Sequence, residues 1–257
     1  MRCKAALRAL LQGWRAFTSL ESFPNVAHQM TQTVAILPAR GGSKRIPRKN
    51  VRPFAGRPAI GWPIAAAQAS GLFDRIVVST DDPEIAETAR NLGAETPFLR
   101  DATLSDDYTG TTDVIRDAVT RLGLEAGDAV CCIYPTAFFL LPEDLQTGRG
   151  YLAEGATWVL ALGEYRTPID RAYRMTGTDG TIAARDPSKM PLRSQDLEPA
   201  YFDAGQFYWA HAATWADPKA RVWDGARGVI LPAERCLDID TWEDWHQAER
   251  LLALREG

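Results

Sequence analysis

From Val34 to Asn50 the chain reads VAILPARGGSKRIPRKN, an apolar run that passes directly into a loop with two glycines and a crowd of cations. An apolar run of this length reads as a buried strand, and the loop at the carboxyl end of a first strand is where open α/β sheets take their ligands. Between Arg40 and Arg52 there are six basic residues (Arg40, Lys44, Arg45, Arg48, Lys49 and Arg52) and no acid, in a chain of formal net charge -4. Six positive charges against a net of -4 leave -10 for the remainder, so positive charge is focused on one loop. Glycines there let backbone N–H groups approach phosphate oxygens. A polyphosphate ligand follows, and a nucleoside triphosphate is its natural form. The loop matches neither the Walker A pattern nor the GxGxxG dinucleotide pattern, so side-chain cations rather than a helix cradle would hold the phosphates. The alternative, cations that only solubilise a surface loop, does not explain why a buried strand leads straight into the two glycines.

From Thr33 onward strands and helices alternate, which predicts a Rossmann-like, doubly wound α/β sheet. Strands are expected over Thr33–Ala39, Arg75–Ser79, Ala129–Ile133, Thr157–Leu162, Ala204–Ala210 and Gly228–Leu231. Helices are expected from about Pro58 to Ser70, from Pro83 to Gly93, from Thr111 or Thr112 toward Arg121, over Pro142–Ala153 and over Thr241–Leu254. Asp82-Pro83 supplies an N-cap followed by proline at the first helical position. The stretch from Tyr165 to about Ala200, rich in Pro, Arg and Asp, breaks the rhythm and reads as an insertion. Residues 1–30 carry an apolar patch that Gln12 and Arg15 interrupt; it is too short to span a bilayer and has no convincing secretory cleavage region. Met30 stands just before the first strand, so translation is expected to start there, or residues 1–30 to be a poorly ordered extension, with one domain over 31–257.

A length of 257 residues with 46% hydrophobic and 24% charged residues suits a single domain with a sizeable core. The acidic balance argues against nucleic acid as the main partner. Cys3, Cys131, Cys132 and Cys236 have no metal spacing and read as reduced thiols of a cytoplasmic protein. His28, His211 and His246 match no zinc motif.

A second constellation is Asp238-Ile239-Asp240, where alternation puts both carboxylates on one face and Ile239 on the other. Two carboxylates so placed can hold a Mg²⁺ that bridges phosphate oxygens. Equally, Asp240 or Thr241 can cap the last helix. Ser105, Thr111 and Thr112 are likewise divided between helix capping and ligand contact. Arg100 has a surface ion pair as its alternative role, and Asp81 and Asp82 can simply begin a helix.

The segment Pro38 to Asn50 resembles the signature loop of the acylneuraminate cytidylyltransferases, the CMP-sialic acid synthetase family. The likeness continues through Ile76 to Asp82, Phe98 to Arg100, Ser105 to Asp113, Tyr134 to Ala137, Arg193 to Glu198, Ala204 to Trp209 and Asp238 to Thr241. It is strongest for the branch that handles pseudaminic acid, where Tyr134 stands in place of a glutamine. The resemblance implies a mixed sheet of the nucleotide-diphospho-sugar transferase type, with the insertion as a dimerisation arm of a homodimer, and no membrane partner. The substrates it implies are CTP and a nonulosonic acid, with Mg²⁺ as cofactor. It implies Lys49 as the cation nearest the α-phosphate, with Arg40 beside it and Asp240 completing the catalytic set. Gly41, Gly42, Ser43, Asn50, Arg100, Ser105 and Thr111 would hold the nucleotide, and Asp238 and Asp240 the metal. Tyr134, Thr136, Arg193, Gln195 and Gln206 would face the sugar; strand packing is the alternative for Gln206. Lys49 is expected to be a loop cation that contributes little to stability. Phe138 departs from the proline expected in the family, so a reshaped loop is expected there.

Overall fold

The computed structural model describes residues 31–106 and 108–256. The expectations for residues 1–30 therefore lie outside the described residues. Six strands form the central sheet, in the order β10-β6-β9-β5-β1-β4. They are β1 (Thr33–Pro38), β4 (Arg75–Ser79), β5 (Ala129–Ile133), β6 (Trp158–Glu164), β9 (Tyr201–His211) and β10 (Ala226–Leu231). β1 lies parallel to both β4 and β5, and β10 parallel to β6, whereas β9 runs antiparallel between β5 and β6. The sheet is therefore mixed, as expected. Val34 through Leu37 are fully buried, which is what a continuous apolar run requires of a strand covered on both faces.

Six helices are described: α1 (Gly61–Ser70), α2 (Pro83–Asn91), α3 (Thr111–Leu122), α4 (Pro142–Ala153), α5 (Ala212–Ala216) and α6 (Trp242–Glu256). α2 begins as its sequence predicts: the Asp82 carboxylate accepts from the N–H groups of Glu84 and Ile85, with Pro83 next to it. α1 begins at Gly61 rather than near Pro58. Residues Pro53–Phe54 (β2) pair with Arg57–Pro58 (β3), and Ala55 and Gly56 turn the chain with φ of 44° and 82°. Two positive φ values fit the tight hairpin turn that such a ribbon needs. α6 starts from a reciprocal cap in which Asp244 accepts from the Thr241 N–H and Thr241 Oγ1 accepts from the Asp244 N–H. Thr241 thus caps the helix, and Asp240 does not.

The insertion is real and largely exposed: two 3₁₀ turns and a small antiparallel ribbon of β7 (Tyr173–Met175) and β8 (Ile182–Ala184). The Tyr165 N–H donates to the Ala200 carbonyl at 2.9 Å and closes its base. Phe138 fills an apolar cluster rather than distorting its loop. It stacks on Phe54 at 3.9 Å between ring centroids and meets Trp245 of α6 edge-on at 5.5 Å.

Gly148 in α4 faces the sheet so closely that an added Cβ would lie 2.7 Å from Trp209 Cδ1 and 3.1 Å from Phe207 Cε2. Gly148→Ala gains about 1 kcal/mol of helix propensity. Overpacking against two buried aromatics costs about 1–3 kcal/mol. The net expected effect is a lower thermal midpoint, read by calorimetry, although alanine is the better helix former.

Candidate active site

The loop after β1 is held in shape by its own residues. Arg48 adopts a left-handed φ of 59° and pairs with Asp82 (Nη1 to Oδ2 2.5 Å, Nη2 to Oδ1 3.0 Å), with Glu84 as a second partner. That contact drops the Asp82 carboxyl to about 2 and makes Arg48 a staple between the loop and α2. Asn50 is buried and donates to the Arg40 carbonyl at 3.0 Å. A Cβ on Gly41 would come 2.5 Å from Asp82 Oδ2, so glycine is required there by close approach. Its N–H donates to Asp81 Oδ1 at 3.0 Å, whereas Gly42 faces open space.

Above this loop is a cavity of about 510 Å³. Arg40, Ser43, Lys44, Arg45, Lys49 and Asn50 form one wall, Arg100, Asp106, Thr109 and Thr111 another, and Tyr134, Pro135, Thr136 and Asp240 a third. Lys49 is not an exposed loop cation. Its side chain is 18% exposed, and Nζ donates to the Ile239 carbonyl at 2.5 Å and lies 3.7 Å from Asp240. Desolvation pulls the Lys49 ammonium below the usual lysine value, while Asp240 and Asp238 pull it back. Arg45 reaches Asp240 at 2.8 Å. The basic loop and the Asp238–Asp240 segment thus meet across 190 residues of sequence.

Ile239 is buried and both flanking aspartates reach solvent, as alternation predicts. The surrounding protein partly desolvates Asp238 and raises its carboxyl, and the neighbouring Asp240 charge raises it further. Two like charges this close suit a divalent cation. No cluster of three or more His, Cys, Asp or Glu ligands exists among the described residues, so an ion held here would complete its shell with ligand oxygens and water.

Arg100 is buried beneath the opposite wall. Nη1 donates to the Ser79 carbonyl at 3.2 Å, Nε donates to Ser105 Oγ at 3.1 Å, and Nη2 lies 3.7 Å from Asp81. Ser105 therefore steadies Arg100 from behind and is not on the cavity wall. Thr111 is the first residue of α3, whose cap Gly110 offers no side chain; its hydroxyl instead lies 2.8 Å from that of Tyr134.

Three residues expected near a sugar do not line the cavity of this chain. Arg193 and Gln195 are exposed on the insertion, where Arg193 pairs with Asp196 at 2.8 Å. Gln206 is buried in β9, and Nε2 donates to the Arg235 carbonyl. Sequence reasoning left Lys44 and Arg45 without a role, visible only as loop charge, whereas Asp106 and Thr109 belong to the Ser105–Thr112 stretch that the resemblance sets along the nucleotide base; they line the wall, and the Asp106 carbonyl accepts from Arg40 at 2.8 Å.

A cytidylyltransferase family model matches residues 34–212. The chain is 39% identical to the pseudaminic acid cytidylyltransferase of Campylobacter jejuni over 86% of its own length and 96% of that protein. It is 42% identical to N-acylneuraminate cytidylyltransferase A of Danio rerio over 87% of its length and 51% of that protein. The solved CMP:2-keto-3-deoxy-manno-octonic acid synthetase, complexed with CTP, superposes with a TM-score of 0.64 at 16% identity, covering 88% of this chain and all of that one, which shows a shared fold.

Proposed function

The chain belongs to the cytidylyltransferase family, and we propose that it transfers the cytidylyl group of CTP to pseudaminic acid, giving CMP-pseudaminic acid and diphosphate. The observation that carries the reading is the meeting of Lys49 with Asp240 in a cavity that Arg40, Arg100 and Tyr134 also line. In this reaction the anomeric hydroxyl of the sugar forms a bond to the α-phosphorus while the bond from that phosphorus to the bridging oxygen breaks. The sugar proton leaves, and diphosphate carries away the electron pair. Little covalent work falls to the protein, so positioning and neutralisation of charge dominate.

Arg40 and Lys49 neutralise phosphate charge, with the Gly42 N–H and the Ser43 hydroxyl as added donors. Gly41 shapes the loop, its own N–H being engaged by Asp81. Arg100, braced by Ser105, flanks the nucleotide, and Tyr134 and Thr136 border the sugar. Asp238 and Asp240 would hold Mg²⁺, which when bound neutralises the phosphates. Their hard oxygen donors and mutual repulsion fit such an ion. Asp240→Asn is expected to remove most Mg²⁺-dependent turnover while leaving the fold intact, because Thr241 and Asp244 rather than Asp240 cap α6. A Mg²⁺ titration of rate checks this, and an unchanged dependence would remove Asp240 from the metal site.

The protein acts as a homodimer in this reading. Tyr173, Met175, Ile182 and Leu192 leave an apolar surface on the insertion that one chain does not cover, and Arg193 and Gln195 lie on the same insertion. Its free thiols Cys131, Cys132 and Cys236 suit a cytoplasmic setting. The choice of pseudaminic acid rests on Tyr134, since the glutamine it replaces would offer the sugar an amide. Diphosphate release measured side by side on pseudaminic, legionaminic and N-acetylneuraminic acids tests that choice. Preference for either of the last two keeps the chemistry and overturns the specificity.

A further inference from the structure

One carboxylate oxygen on the cavity wall is shared by two cations of unequal freedom. Asp240 Oδ1 lies 2.8 Å from Arg45 Nη2 and 3.7 Å from Lys49 Nζ. Lys49 is locked in place, since its side chain is 18% exposed and its ammonium is also held by the Ile239 carbonyl. The Arg45 side chain is 65% exposed, on a long stem that can swing.

The backbone beneath both ends of the Arg45–Asp240 contact is fixed. Ile46, next to Arg45, is fully buried, and its carbonyl accepts the Lys49 N–H at 3.2 Å. Ile239, next to Asp240, is buried in the same apolar cluster, and the Asp240 N–H donates to Asp244 Oδ2 at 3.0 Å. The part of the contact that is free to change is therefore the Arg45 side chain. A divalent cation on Asp240 would sit at about 2.1 Å from a carboxylate oxygen, drawing on the same negative charge and repelling the guanidinium beside it. Guanidinium groups also fit phosphate oxygens, and Arg45 lines the same cavity as Arg40, Lys44 and Lys49.

We infer that Arg45 holds the place of the divalent cation on Asp240 until CTP arrives, and then passes to the phosphates and leaves Asp240 to the metal. Arg45 is a positioning residue that makes metal and nucleotide enter together, and the inference rests on Asp240 being a metal residue of the proposed reaction. Lys49 stays where it is throughout, because its second partner is a backbone carbonyl.

The test reads two affinities of the full chain, neither of them an activity. One is the Kd for Mn²⁺ without nucleotide, from the electron paramagnetic resonance signal of the free ion, Mn²⁺ sharing the preference of Mg²⁺ for carboxylates. The other is the Kd for CTP in EDTA, by calorimetry. Arg45→Gln is expected to tighten Mn²⁺ about fivefold and to weaken CTP about fivefold, the scale of one exposed charge pair. The opposite signs are the signature, since damage to the loop would weaken both. Arg45→Lys should restore part of each change. Arg52→Gln removes the same charge from a residue bonded instead to the Pro47 carbonyl, and should move the Mn²⁺ affinity by less than about twofold. No gain in Mn²⁺ binding in Arg45→Gln, or an equal gain in Arg52→Gln, would overturn the inference while leaving the reaction standing. Mn²⁺ binding that Asp240→Asn leaves unchanged would overturn the metal site as well.

Discussion

Lys49→Ala is expected to lower kcat for diphosphate release by about 10²–10³-fold, the scale on which removal of one preorganised charge-stabilising donor is felt. The reason is geometric. Lys49 is held by the Ile239 carbonyl and by Asp240 beside the cavity, in surroundings dry enough to pull its ammonium below the ordinary lysine value. A charge poised in such a place interacts with phosphate more strongly than one in water, and needs no reorganisation as the reaction proceeds. The same burial means that the variant is not silent in stability. The loss of a buried, charge-assisted hydrogen bond is expected to cost about 1–3 kcal/mol, so the melting point falls modestly while turnover collapses. A pH signature accompanies it. In the free enzyme Lys49 loses its proton below the usual lysine range, and bound phosphate raises that value again. The alkaline limb of kcat/KM for CTP should therefore lie at lower pH than the limb of kcat, since the first reports the free enzyme and the second the complex. Lys49→Ala retaining near-normal kcat would take Lys49 out of the reaction.

The largest effect on stability is expected from Arg235→Met. Arg235 forms a forked pair with Asp144, Nη2 to Oδ1 at 3.0 Å, and Nη1 also donates to the Phe139 carbonyl at 3.3 Å. The two side chains are only 9% and 10% exposed. Breaking a buried pair by removing one member leaves the other charge unmatched, at a cost of about 3–5 kcal/mol. For a domain of this size that is a fall in melting temperature of roughly 10 °C. Asp144→Asn added to Arg235→Met should recover much of the loss, because the amide removes the orphaned charge and still accepts from the Leu141 N–H, as Asp144 does now at 3.0 Å. Failure of the double variant to recover stability would show that Arg235 acts through packing and not through its charge. Arg235 lies three residues before Asp238, and its carbonyl receives Gln206, so the pair also fixes the start of the segment that meets Lys49.

Local patterns made most of the sheet legible. Val34–Leu37 and Ala129–Ile133 are strands because both faces are covered and every position is apolar. Asp82-Pro83 marked a helix start because capping is a matter of adjacent residues. What could not be read was whatever depends on contact between distant segments. The burial of Lys49 requires Ile239 and Asp240 to close over it, and nothing within the basic loop reports that contact. Phe138 looked like a disturbance in its loop until Phe54 and Trp245 supplied its partners. Ser105 was legible as a polar residue near Arg100, but only the turn at Ala102–Leu104 decides that it faces the guanidinium and not the cavity. Arg193 and Gln195 share a segment that resembles sugar-handling sequences, yet the single chain leaves them on the exposed insertion.

The central claim is a reaction, and its stoichiometry tests it most directly. With CTP, Mg²⁺ and pseudaminic acid, phosphorus NMR of the mixture should show diphosphate and a single CMP-sugar phosphodiester growing in equal amounts as CTP disappears. CTP left intact in the presence of every nonulosonic acid, or diphosphate formed with no phosphodiester beside it, would contradict the account.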